Sequence, residues 1–281
     1  MKQLFTLLFV LNGYFISAQT FTDMGAVLPQ LSFSITAFGD CDNDGDLDLF
    51  ISGMDNSASI VGGLYIYDGG SYTFSTTATL PPVYMGAAVW GDIDNDNDLD
   101  LVIVGQDASY TDISKVFINN NDGTFTNLSS GITPIEQGDV TLSDFNNDNY
   151  LDISITGVGV SERVTKLYKN NGNNTFSELT NVNLPGMNNG EIGWGDYNND
   201  NYPDFILSGF DDNTGGTDTF YTKIFTNNGD ETFTESGIPI HQGWLGDVEW
   251  GDYNADGNLD FVISGTGGSG TDRFTLLYKN N

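Results

Sequence analysis

An acidic nine-residue loop that returns five times constrains this chain more than any other feature. It occupies 40–48, 92–100, 144–152, 196–204 and 252–260, so successive copies begin 52, 52, 52 and 56 residues apart. A period of that length is one supersecondary unit of a propeller or solenoid, too small to bury its apolar face alone and obliged to pack on its neighbours. The flanks repeat with the loop. Upstream stand Phe38-Gly39, Trp90-Gly91, Leu142-Ser143, Trp194-Gly195 and Trp250-Gly251; downstream come short apolar runs at 47–51, 99–104, 151–155, 205–207 and 259–263. These runs are rich in β-branched and aromatic residues and read as strands, most of them meeting a glycine: Gly53, Gly105, Gly157, Gly209 and Gly265.

A third strand is predicted over 64–67, 115–118, 166–169, 223–226 and 276–279. It usually stops at an Asn-Asn pair and a turn whose Asn, Asp and Gly tolerate positive φ. Phe74, Phe125, Phe176 and Phe233 mark a shorter fourth strand. Four antiparallel strands per unit predict an all-β fold, a β-propeller of four-stranded antiparallel blades with five repeats visible, either a closed five-bladed ring or a fragment of a larger ring. A parallel β-helix with calcium-binding turns is the alternative, although its coils are far shorter than this repeat. The repeats run approximately 31–82, 83–134, 135–186, 187–242 and 243–281. Because 20–23 resembles a fourth strand and the chain stops at the close of a third, the last blade is expected to be completed by 20–30.

The loops carry the chemistry. Positions 1, 3, 5 and 9 are always Asp or Asn: Asp40, Asp42, Asp44 and Asp48; Asp92, Asp94, Asp96 and Asp100; Asp144, Asn146, Asp148 and Asp152; Asp196, Asn198, Asp200 and Asp204; Asp252, Asn254, Asp256 and Asp260. Alternate side chains turn toward one centre, and position 7 offers its backbone carbonyl at Asp46, Asp98, Tyr150, Tyr202 and Asn258. Position 6 is Gly or Asn, the residues that accept a left-handed turn. A shell made only of oxygens suits calcium, with its six to eight ligands, better than magnesium's small octahedron or zinc's nitrogen and sulfur. An empty loop would carry unrelieved carboxylate repulsion. Up to five calcium ions are therefore expected, as structural cofactors.

The aspartate loop between the first two strands, the aromatic–Gly pair before it and the aromatic fourth strand resemble the FG-GAP, or VCBS, repeat family, to which the head propeller of integrin α subunits belongs. The resemblance covers all five copies. It implies a β-propeller with calcium in each loop, in a family whose rings commonly carry more than five blades. It implies no single activity, since such propellers serve adhesion, carbohydrate recognition and extracellular assembly, and sometimes accompany catalytic domains. Phe38 and Leu142 depart from the Trp of the other copies, and Ser143 departs from the Gly.

Composition narrows the partners. Eight Lys and Arg stand against 39 Asp and Glu, a formal charge of −31, which repels nucleic acid and anionic membrane. The 19 Phe, 13 Tyr and 4 Trp at recurring positions are incompatible with a disordered acidic tail. Residues 1–18 read as a signal peptide, with Lys2, an apolar stretch over 4–11 and Ala18 at the cleavage edge, so a secreted or cell-surface location is expected. No transmembrane segment follows. The single cysteine, Cys41, forms no intrachain disulfide and reads as a small buried hydrophobe.

No catalytic residues are predicted. His241 is the sole histidine and reads as a surface-loop residue between blades. A calcium-assisted polysaccharide lyase is the enzymatic alternative, with Lys115, Lys166, Lys169 and Arg273 as the available bases. The expected function is an extracellular binding or adhesion scaffold for carbohydrate or protein, as a monomer or as part of a larger surface protein. Its recognition surface is placed in variable connections at 54–63, 106–114, 158–164, 210–220 and 266–274, where Tyr110, Phe210 and Phe220 offer stacking surfaces. A structural spacer is the third reading. Asn127-Leu128-Ser129 fits a glycosylation sequon.

Overall fold

The strands of the computed structural model form five antiparallel sheets in chain order. The structure describes residues 22–211, 219–244, 246–267 and 272–281; the expected signal segment lies outside them. The first sheet holds β1 (Ser32–Gly39), β2 (Asp48–Met54), β3 (Ile60–Asp68) and β4 (Ser71–Phe74). The second holds β5 (Val83–Gly91), β6 (Asp100–Asp107), β7 (Asp112–Asn119) and β8 (Phe125–Leu128). The third holds β9 (Glu136–Ser143), β10 (Asp152–Val158), β11 (Arg163–Asn170) and β12 (Phe176–Glu178), and the fourth β13 (Asn188–Gly195), β14 (Asp204–Asp211), β15 (Thr219–Asn227) and β16 (Phe233–Glu235). The fifth has three strands, β17 (Val248–Gly251), β18 (Asp260–Thr266) and β19 (Arg273–Tyr278). Every sheet is an antiparallel meander in chain order.

The second strand of each interior blade is buried on both faces, which explains its unbroken apolar run. On β6, Leu101 and Ile103 face the first blade's Phe50 and Leu64, while Val102 and Val104 face the third blade's Ile153 and Ile155. The period-2 alternation of a strand thus divides one sequence between two cores. Further cores join blades three and four around Phe145, Phe205 and Leu207, and blades four and five around Ile206, Val248 and Ile263. The first strands of successive blades pack on one another, β1 on β5, β5 on β9, β9 on β13 and β13 on β17.

Two expectations are corrected. Residues 22–31 form no strand, and the fifth sheet has no fourth one among the described residues. Gly25 takes φ +68, and Pro29, beside Ile60, Val61, Tyr65 and Phe74, and Leu31, beside Gly53, lie against the first blade, whose β1 they lead into; residues 20 and 21 of the expected closing strand lie outside the described residues. The variable connections are also shorter than expected, because pairing between the second and third strands continues outward as far as Met54↔Ile60, Gln106↔Asp112 and Val158↔Arg163. Phe210 and Phe220 are consequently cross-strand partners rather than loop residues. Residues 212–218 and 268–271 of the predicted connections lie outside the described residues.

Candidate metal loops and an axial cavity

Each acidic loop is wound by its own carboxylates. The first aspartate accepts the N–H groups of positions 5 and 6: Asp44 and Gly45 donate to Asp40, Asp96 and Asn97 to Asp92, and Asp148 and Asn149 to Asp144, at 2.8–3.1 Å. Asp196 and Asp252 repeat the arrangement. The fifth residue accepts the N–H of the seventh, as Asp98 to Asp96 at 2.9 Å. Two backbone positions per loop are left-handed. Position 6 was expected; position 4 was not, and Asn43, Asn95, Asn147, Asn199 and Ala255 hold φ of 58 to 62° there. Asn at four of the five was the available signal.

The ninth residue differs from the others in being fully buried. Asp48, Asp100, Asp152, Asp204 and Asp260 are all 0% exposed. One oxygen accepts an N–H at the end of the third strand, from Tyr67, Asn119, Asn170, Asn227 and Asn280 at 2.8–2.9 Å. In the first four loops the other oxygen accepts the N–H of position 2. Burial pushes the Asp100 and Asp152 carboxyls up to about 7 and that of Asp204 up to about 6, against those bonds. The same oxygen of Asp48 accepts the Cys41 thiol at 3.0 Å; burial first and this bond second raise the thiol far above its ordinary range, so Cys41 is an inert buried residue.

Loops one and two each gather three carboxylates. Within 4.8 Å of one another lie oxygens of Asp40, Asp42 and Asp44 in the first, and of Asp92, Asp94 and Asp100 in the second. Desolvation, then neighbouring carboxylates, raises both Asp42 and Asp94 from the ordinary aspartate value. Oδ1 of Asp94 is buried without a hydrogen-bond partner. In the third and fifth loops a lysine stands near position 5, Lys169 at 3.8 Å from Asp148 and Lys279 at 3.4 Å from Asp256. Position 7 uses its side chain too: the Tyr150 and Tyr202 rings lie over the turn glycines Gly172 and Gly229, and Asp98 accepts Asn43 Nδ2 of the preceding loop.

Blades are joined by a repeated set of contacts that sequence reasoning missed. The asparagine closing the third strand reaches back to the position-2 carbonyl of the preceding loop: Asn119 to Cys41, Asn170 to Ile93, Asn227 to Phe145 and Asn280 to Tyr197, at 2.6–2.8 Å. The position-4 asparagine reaches forward, Asn95 to the Asn149 carbonyl and Asn147 to that of Asn201, both at 2.8 Å. Trp90 lies on Gly39, where an added Cβ would meet the indole at 2.7 Å, and Trp250 lies likewise on Gly195 at 2.9 Å. The aromatic–Gly pairs are therefore interlocking parts of adjacent blades.

The first strands converge on a cavity of about 500 Å³ to which all five blades contribute, lined among others by Phe33, Met85, Gln137, Asn189 and Gly246. Each of the first four blades carries a β-bulge here, with Phe33, Met85, Gln137 and Asn189 at φ +44 to +51°. A glycine follows in all but the first blade, because a Cβ at Gly86 or Gly138 would strike the next strand's carbonyl at 2.0 or 1.8 Å. Asp139 and Glu191 also line a second cavity of about 430 Å³ between blades three, four and five, walled by Thr141, Trp194 and Trp250. Burial pushes Asp139 up to about 6; burial and then a hydrogen bond with Asp247 push Glu191 up to about 9.

Other predicted residues fall elsewhere. His241 is half-buried rather than a surface residue, its ring 4.3 Å from that of Phe274. Lys166 pairs with Glu178 at 3.0 Å and Lys169 with Glu231, bonds that occupy these candidate bases. Tyr110 is exposed, yet its hydroxyl donates to the Ala58 carbonyl at 3.3 Å and its ring meets Tyr84 edge-on. Arg163 lies 4.8 Å over the Phe210 ring, which packs against Phe220 and Trp244. Among the described residues no helix is long and apolar enough to cross a membrane.

Five antiparallel sheets around one axis, each with an aspartate loop between its first two strands, define a repeat protein of the β-propeller class. The FG-GAP-like repeat model matches residues 40–103, 92–155, 144–207 and 196–263, and the chain belongs to that family. No curated protein matches it. Among solved structures it is similar to an Agrocybe aegerita lectin described as recognising non-reducing terminal N-acetylglucosamine, with a TM-score of 0.56 and 17% identity over 88% of this chain. The chain spans 63% of that structure's length, and the likeness is one of fold.

Proposed function

We propose that this chain is an extracellular, calcium-stabilised binding propeller, non-catalytic, whose ligand is a carbohydrate. The observation that carries the calcium half is the packing of three carboxylates within 4.8 Å in each of the first two loops, one of them with a buried oxygen that no protein group satisfies. Hard oxygen donors at alternate positions fit calcium, and a cation would relieve the repulsion and desolvation that raise Asp42 and Asp94. Asp40, Asp42, Asp44 and Asp92, Asp94, Asp96, Asp100 would hold the tightest ions. The loops of 144–152, 196–204 and 252–260 would follow, with asparagine at position 3 and, in two of them, lysine as a competitor.

Calcium here is structural. Each loop joins the first strand of a blade to the second, and the first four also touch the next blade, so an ion bound there only by the folded form stabilises a seam as well as a turn. The saccharide half is supported by the fold's likeness to a lectin. Titrating calcium into chelator-treated protein while following heat and thermal melting tests the metal reading. About five equivalents with a raised melting temperature are expected, the first two tightest; no uptake sinks it. A glycan array on the calcium-loaded protein tests the carbohydrate reading, and a blank array would leave the spacer role that the short connections favour.

A further inference from the structure

The four bulge residues on the axis share one backbone conformation and differ in side chain. A left-handed φ costs a non-glycine residue on the order of 1–2 kcal/mol, and asparagine bears it better than phenylalanine, methionine or glutamine. A purely architectural bulge would be served by glycine or asparagine in every blade. Instead the frame displays Phe33 and Met85 from blades one and two, and Gln137 and Asn189 from blades three and four. The cavity is thereby two-sided, with an aromatic and a thioether opposite amides and the carboxyls of Asp139 and Glu191.

A second observation points the same way. In the adjoining cavity the Thr141 hydroxyl and the Trp194 indole N–H are buried without a hydrogen-bond partner. They are unpaired polar groups in a cavity whose lining shares Asp139 and Glu191 with the axial one. The volume, about 500 Å³, falls within the roughly 300–1,000 Å³ range of small-molecule sites.

We propose that the axial cavity is the saccharide site of this chain, taking one neutral pyranose end-on between Phe33 and Met85 on one wall and Gln137, Asp139, Asn189 and Glu191 on the other. This rests on the reading of the chain as a carbohydrate-binding propeller. A pyranose has an apolar C–H face for the Phe33 ring and an equatorial set of hydroxyls for the amides and carboxyls, matching the two walls. Acidic sugars are excluded by a charge of −31 and by the neck. Burial and then the hydrogen bond with Asp247 favour the protonated form of Glu191, with its proton held in that bond, which keeps the neck from carrying two full charges that would trap a cation.

The test uses the full, calcium-loaded protein titrated with free glucose, N-acetylglucosamine, galactose and glucuronate. Glycine accepts the bulge conformation, so Gln137→Gly with Asn189→Gly removes the amides and keeps the backbone; thermal melting verifies the fold. The double variant should bind the preferred neutral sugar at least about tenfold more weakly, Phe33→Gly should lose affinity as well, and Tyr110→Ala on the outer turn should bind as wild type. Glucuronate should bind wild type at least about tenfold more weakly than glucose. Wild-type affinity in the axial variants, or its loss in Tyr110→Ala, would move the site elsewhere and overturn this assignment while leaving carbohydrate recognition standing. Failure of every sugar, here and on the array, would remove the carbohydrate reading itself.

Discussion

The interior seams and the two outermost faces of this molecule are built from the same repeat and are finished differently. At an interior seam a third-strand asparagine reaches back and a loop asparagine reaches forward, and at three of the four an aromatic or leucine side chain covers a glycine of the preceding blade, Trp90 on Gly39, Leu142 on Gly91 and Trp250 on Gly195. The first blade has Tyr67 where Asn119, Asn170, Asn227 and Asn280 provide the backward link, and its Phe38, at the Trp90 position, is 60% exposed. The fifth blade has Ala255 where four asparagines provide the forward link; nothing lies within 4 Å of the Cβ position of Gly251, and Leu277 is 57% exposed. Seam strength is thus a property of paired blades: a repeat with a perfect loop contributes little where no neighbour receives its aromatic group.

The comparison breaks most visibly in the cores. Phe205→Ala, at a fully buried position shared by blades three and four, should cost about 3–5 kcal/mol, whereas Leu277→Ala on the outer strand should stay within about 0.5 kcal/mol. Equal losses in urea melts would mean that the outer face is covered in solution. Next comes the polar link. Asn170→Leu strands the buried Ile93 and Leu151 carbonyls and should destabilise by about 2–3 kcal/mol, while Tyr67→Leu, with no such link to lose, should fall well short of that.

A pH series sharpens the same contrast at the last seam, where Glu191 accepts the Val248 N–H at 3.0 Å and faces Asp247 and Asp139. Its folded pKa, about 9, lies above its ordinary value, so the unfolded chain releases the proton first. The stabilisation is complete below the ordinary glutamate pKa and is lost as pH climbs toward about 9. In saturating calcium the melting temperature should therefore fall between pH 5 and 8.5, and Glu191→Gln should flatten that fall; an unchanged slope would place the titration elsewhere. The smallest effect is a gain. Ala255 holds φ +58° with nothing recovered for the strain, so Ala255→Asn should stabilise by about 1 kcal/mol, against no gain from the same exchange at an extended surface position.

Much of the candidate metal chemistry was legible because it is local. Alternate carboxylates and a left-handed sixth residue are set by spacing within nine residues, and the loops wind as that spacing requires. The ninth aspartate was expected among the oxygen donors, and its place as a buried post was not legible, because its burial comes from the third strand and the neighbouring blade. Asn119 and its equivalents read as turn residues for the same reason: the bond each makes crosses about 80 positions of sequence. The expected closing strand shows the limit most plainly: 22–31 form no strand, and Pro29 lies beside the first blade.

By itself the sequence determined the repeat, the order of strands within a blade and the winding of the acidic loops, all consequences of period-2 alternation and turn stereochemistry acting over short distances. The tertiary structure alone decided which asparagines tie blades together, which aromatic groups find a glycine to cover and which remain exposed, and what meets at the axis. Phe33, Met85, Gln137 and Asn189 share no residue type that a reader of sequence would group. They come together because four bulges occur at the same place in four twisted sheets, and the twist of those sheets carries all four to one point.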